Sequence, residues 1–225
     1  FFMIAFVTNF AGSMGVIVKN QFGASNAMAQ LGTLANFIAY ACMGIPGGLI
    51  LKRKGYKFTS LLAAAVGFAG VAIQFASGYV ESFGVYVLGA FVAGFSMCLL
   101  NLVVNPMLNK LAGGGNRGNQ LLQVGGSFNS LMGTAVIFLT GVFVPSIVDA
   151  EIKQVFPLMF IALAIFAAAF IVILFTEIPE TKSEVVAEKT KSEIGPMSFR
   201  HFMLGAVAIF IYVGVEVGIP NVLQK

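Results

Sequence analysis

Seven stretches of the chain, residues 1–18, 26–51, 58–77, 83–108, 120–144, 155–175 and 202–223, are each long and apolar enough to be read as a membrane-crossing helix. About 20 apolar residues in a helix span the ~30 Å of bilayer hydrocarbon. No water reaches that layer, so every backbone N–H and C=O must be bonded inside the segment or its barrel, and runs of this length are helices. A membrane β-barrel would alternate apolar and polar residues, and residues 160–175 do not alternate. Charged residues make up only 10% of the 225, against about 25% in soluble domains. The chain therefore reads as an all-α polytopic membrane protein.

The charges that remain are sorted by side. Lys52, Arg53, Lys54 and Lys57 follow the second span, Lys110 and Arg117 follow the fourth, and Lys182, Lys189, Lys191 and Arg200 lie between the sixth and seventh. Lys19, Lys153 and Lys225 fall on the other side, so ten of the 13 basic residues share one face of the membrane. Positive loops face the cytoplasm, which predicts a cytoplasmic N-terminus in a multi-pass protein of the cell membrane, expected to be a bacterial inner membrane. A nucleic-acid partner would need a basic stripe on a folded face, and none is present. Cys42 and Cys98 lie within apolar runs, and His201 is the sole histidine. No spacing suits a metal site, no constellation suits an enzyme, and no cofactor is expected.

Residues 177–200 are the one compositional boundary. Pro179 and Pro196 frame a mixed-charge stretch in which five glutamates nearly balance four bases. The layout is a six-helix bundle over residues 1–176, a cytoplasmic linker over 177–200, and a further helix over 201–225. The chain starts and stops within apolar runs, which predicts a fragment of a twelve-helix transporter whose second half completes it. Transporters with nested inverted repeats use such six-span halves.

Short motifs sharpen this reading. Gly48-Leu49-Ile50-Leu51-Lys52-Arg53-Lys54-Gly55-Tyr56-Lys57 resembles the cytoplasmic loop signature of the major facilitator superfamily, with Lys52 where that signature carries an acid. Asn105-Pro106, Ser127-Phe128-Asn129-Ser130, Tyr212-Val213-Gly214-Val215-Glu216, and Phe6-Val7-Thr8 with Gly12-Ser13 resemble the fucose–proton symporter and glucose/galactose transporter family. The family pattern has an acid in the first span near Gly12 and a glutamate at the position of Asn101. Here both are missing, and no Asp or Glu occurs inside the first six spans.

Polar side chains in hydrocarbon mark candidate sites. Gln123, Ser127, Ser130 and Thr134 follow steps of four, three and four and form one helical stripe, with Asn129 beside it. Asn101 and Asn105 are one turn apart, as are Asn9 and Ser13, and Asn26, Gln30, Thr33 and Tyr40 fall near one face. Pro46, among Gly44, Gly47 and Gly48, is expected to bend the end of the second span. Amides both donate to and accept from hydroxyls, and aromatic rings such as Phe128 can stack on a sugar ring. For each polar residue, helix-to-helix bonding is the competing role; Asn9 and Gln30 are read as structural. Glu216 is the only acid well inside a span, one turn after Tyr212.

The expected substrate-binding residues are Asn101, Asn105, Gln123, Phe128, Asn129, Tyr212 and Glu216. The resemblance implies alternating-access transport of a monosaccharide of the glucose, galactose or fucose class, with H⁺ or Na⁺ as the candidate coupling cation. Two alternatives stand beside it: an exporter or antiporter of another small neutral solute, and a non-transporting membrane sensor or scaffold.

Overall fold

The computed structural model describes residues 1–113, 115–144, 151–178 and 199–223. Nearly all of them are helical: α1 (Phe2–Gln21), α2 (Asn26–Ala29), α3 (Leu31–Val80), α4 (Phe83–Leu111), α5 (Gly115–Phe143), a 3-10 turn (Ile152–Val155), α6 (Phe156–Phe175) and α7 (Arg200–Leu223). The chain divides into two compact units, Phe1–Glu180 and Thr181–Lys225. Most of the expected linker, residues 179–198, lies outside the described residues.

α3 has 50 residues. Straight, it would measure ~75 Å, more than twice the hydrocarbon thickness. It reverses at Gly55, the one non-helical residue inside it (φ 82°, ψ 179°). That φ is open to glycine and strained for any residue with a Cβ. The sequence pattern predicts a six-residue loop at 52–57, whereas the helix runs through Lys54 and resumes at Tyr56. A single glycine thus makes the hairpin between the second and third spans. Pro46 stays within the helix, so the predicted bend there does not interrupt it.

The contacts establish that neighbouring spans alternate in direction. Gly32 meets Tyr86, Asn36 meets Gly94, and Gly47 meets Leu102, so the first limb of α3 runs parallel to α4. Ser96 Oγ donates to Ala63 O (2.7 Å), while Gly70 meets Ala93 and Gly89 meets Gln74, so the second limb runs antiparallel to it. Phe1 lies against Gly125 and Asn9 against Gly133, which makes α1 and α5 parallel. This is the alternation that the span count requires. Five helices among the described residues are long and apolar enough to cross a membrane, and α3 supplies two of the passes.

Small residues set how closely the helices approach. A Cβ added at Gly70 would fall 2.6 Å from the backbone nitrogen of Ala93, and one at Gly89 would fall 2.7 Å from that of Gln74. Backbone cannot yield as a side chain does, so these positions keep α3 and α4 in direct contact, as membrane helices require. α1 is the most enclosed span. Phe6 and Phe10 stack at 5.2 Å, and with Met14, Leu99, Leu158 and Phe166 they build the core.

At one end, the turns after α1 and α3 meet the 3-10 turn. Gln21 Oε1 accepts from Ile152 N (2.8 Å), Lys153 Nζ pairs with Glu81 (3.1 Å), and the rings of Phe22 and Phe83 lie 6.1 Å apart. At the other end, Lys110 Nζ sits 5.3 Å from the centre of the Tyr56 ring.

Gly70→Val is expected to destabilise the bundle by roughly 1–3 kcal/mol through overpacking. Gly44→Ala, which meets nothing within 4 Å, is expected to leave stability unchanged. Thermal unfolding of both variants in one detergent checks the contrast.

Candidate functional site

The predicted stripe on α5 is present and uncovered. Gln123, Ser127, Ser130 and Thr134 are all exposed on the bundle, and Phe128, beside them, is 59% exposed. Two of the hydroxyls bond to their own helix: Ser127 Oγ donates to Gln123 O (3.0 Å) and Thr134 Oγ1 to Ser130 O (3.1 Å). Each oxygen keeps its acceptor capacity for a ligand. The opposite side of α5, with Met132, Val136 and Thr140, is buried.

Asn129 departs from the expected placement. Gly125 and Gly133 lie four residues either side of it, and both face α1, where they meet Phe1 and Asn9. Asn129 therefore sits on the seam with α1, not on the open stripe. The residue is partly exposed, but its Oδ1 is covered and has no hydrogen-bond partner. A covered acceptor without a partner is costly, so this amide stands out from those bonded to their own helix.

On α4, Asn101 is half-buried and its Nδ2 donates to Met97 O (3.1 Å). Met97 Sδ in turn accepts from Thr8 Oγ1 (2.9 Å) on α1. These registers locate the two amides relative to each other. Asn101 lies one turn beyond the level of Thr8 toward the start of α1, and Asn129 lies between the levels of Phe1 and Asn9. Both amides thus stand at about the same height, on helices that pack against each other and against α1. Asn129 is midway along α5, a depth suited to a midplane site. Asn105 and Pro106 are exposed, one turn nearer the end that carries the basic loops.

The face of α1 that carries Thr8, Asn9, Gly12 and Ser13 is half-buried. Asn9 Nδ2 donates to Ala5 O (2.8 Å) and Ser13 Oγ to Asn9 O (3.2 Å). Asn9 packs on Gly133. Thr33 Oγ1 reaches Ala11 O at 3.4 Å, joining the first limb of α3 to α1. Tyr212 lies on α7, in the second unit; Glu216 is on the same helix, and its side chain lies outside those described. No group of three or more candidate metal ligands occurs among the described residues.

Pattern reading missed Asn36. It is 1% exposed, and its Oδ1 has no partner and lies against Gly94. Its spacing, three residues after Thr33 and four before Tyr40, was the available signal. Tyr86, fully buried with an unpartnered hydroxyl, belongs to the same α3–α4 seam.

The family model of the Major Facilitator Superfamily matches residues 1–224. The chain belongs to the major facilitator superfamily. Among curated proteins it is similar to the glucose/galactose transporters of two strains of Brucella abortus, each 28% identical over 230 residues, covering 99% of this chain and 55% of the relative. The chain thus spans about half the length of these relatives. Among solved structures it is similar to the crystal structure of a point variant of the E. coli fucose:proton symporter FucP. That likeness has a TM-score of 0.71 at 20% identity and covers 96% of this chain and 58% of the symporter chain. The superfamily fold is therefore present here.

Single cysteines placed at Gln123, Ser127 or Thr134, with Cys42 and Cys98 replaced by Ser, are expected to react with a water-soluble maleimide much faster than one at Val136. Equal rates at all four positions would contradict a wet polar stripe.

Proposed function

We propose that the chain forms the first bundle and first following helix of a secondary transporter that carries a monosaccharide of the glucose, galactose or fucose class by alternating access. The observation that carries this reading is the uncharged polar wall. Gln123, Ser127, Ser130 and Thr134 are open on α5, and Asn101 and Asn129 stand level with one another beside α1. The names of the relatives, glucose/galactose transporter, support the same substrate class.

In this proposal Asn101, Asn105, Gln123 and Asn129 bond to sugar hydroxyls. Phe128 stacks on the apolar face of the ring, and Tyr212 and Glu216, on α7, are assigned as further sugar-binding residues. Sugars present hydroxyls that donate and accept at once. Amides answer both demands without the desolvation penalty of a fixed charge. The two bundles rock about this site and open it to each side in turn. The basic loops support a cytoplasmic N-terminus, and the membrane in this proposal is a bacterial inner membrane.

Coupling is the distinctive part of the proposal. The first six spans hold no carboxylate, so a proton cannot be carried there by Asp or Glu. We assign a coupling proton to Glu216 or to the remainder of the transporter, and Na⁺ as the alternative cation. The missing carboxylates also favour a second reading, a bundle that senses its solute without moving it.

Asn101→Ala and Asn129→Ala are each expected to lower sugar uptake roughly tenfold or more, since an unmet hydrogen bond at a buried site costs ~1–3 kcal/mol, with membrane abundance retained. Counterflow of labelled glucose, galactose and fucose in proteoliposomes, with Na⁺ and without it, measures this. Wild-type uptake in both variants would remove the two amides from the site. No flux of any of the three sugars would favour the sensor.

A further inference from the structure

The end of the bundle that holds the Gly55 hairpin is rich in bases. Lys52, Arg53, Lys54 and Lys57 flank the hairpin, and Lys110 and Arg117 flank the turn between α4 and α5. The two loops form one surface, because Lys110 Nζ sits 5.3 Å from the Tyr56 ring centre, while Lys54 Nζ lies 5.8 Å from that of Phe58. Five of the six bases are exposed, and Lys57 is partly so. Among the described residues of this unit the acids are Glu81, Glu151 and Glu177. The first two lie at the opposite end, and only Glu177, past the end of α6, shares this one.

Immediately inward from these bases the surface is apolar: Leu49 is 52% exposed and Phe58 46%. Exposed apolar side chains on a membrane helix lie in hydrocarbon, which puts the neighbouring lysines and arginine at the depth of the lipid headgroups. Their apolar stems can lie along that surface while the charged tips reach the phosphates. Clustered Lys and Arg beside a membrane helix attract anionic lipid, and the arginine fork matches two phosphate oxygens at once. The stretch over residues 177–193, with five glutamates against three lysines, is the rival occupant.

We propose that this basic end is a docking surface for the headgroups of anionic phospholipids, with Arg53 and Lys54 at its centre and Lys52, Lys57, Lys110 and Arg117 around them. The proposal is independent of what the protein transports.

The test uses the purified protein in nanodiscs of phosphatidylcholine with a minor fraction of phosphatidylglycerol, and native mass spectrometry to count retained lipids. The wild type is expected to enrich phosphatidylglycerol roughly fivefold or more over the bulk fraction, less so at high salt. Combined Lys52→Gln, Arg53→Gln, Lys54→Gln and Lys57→Gln substitution is expected to return it to the bulk value. The charge-preserving set Lys52→Arg, Lys54→Arg and Lys57→Arg is expected to retain it, which separates loss of charge from loss of fold. Enrichment unchanged in the Gln variant would overturn the proposal. So would enrichment that appears only after Glu180, Glu184, Glu188 and Glu193 are changed to Gln, because the chain's own acids would then be the occupant. Displacement of the lipid by millimolar glycerol phosphate would overturn it too, since the surface would then be a soluble-phosphate site.

Discussion

Hydrocarbon offers no hydrogen bonds and gives apolar side chains no reason to leave it. A bundle in this setting must therefore be held by close packing and by the few polar groups that reach across. Here the closest backbone packing lies on the seam between α3 and α4, and one polar bond crosses it. Gly70, Gly89 and Gly94 bring backbones together, and Ser96 uses that proximity to bond to Ala63 O. One hairpin glycine turns α3 back so that both of its limbs flank α4. The open face of α5 is then left to carry polar groups.

The spans were legible because their signal is additive: about 20 consecutive apolar residues leave little choice of structure. Their alternation was legible for a related reason, since ten of the 13 Lys and Arg residues fall on one side. The details that failed depend on single contacts. Residues 52–57 look like a loop because they are charged, yet charge at a membrane surface is compatible with helix, and only the glycine breaks it.

The polar stripe on α5 shows the same division. Periodicity put Gln123, Ser127, Ser130 and Thr134 on one face, and that face is open. Asn129 was read as its neighbour from angle alone. The direction in which it packs was decided by Gly125 and Gly133, whose missing side chains admit Phe1 and Asn9. Pattern can assign residues to a face; only the partner helix decides which face is covered. The spacing of Asn36 from Thr33 and Tyr40 assigns it to their face, but its burial depends on Gly94, on another helix, which that spacing does not show.

The absence of carboxylates from the first six spans has a consequence for any coupled mechanism. A fixed acid in a bundle can hold the protein in one conformation until it is protonated or paired, because a bare charge in low dielectric is expensive. Amides and hydroxyls impose no such condition. They bind a neutral guest with similar cost in either orientation of the bundle, so by themselves they do not tie movement to an ion. If transport through this protein is driven, the asymmetry must come from a group that changes charge or gains a cation. On α7, Glu216 is the only acid within the apolar run. Recognition of a neutral guest and response to an ion are thus separate demands, met by different kinds of side chain.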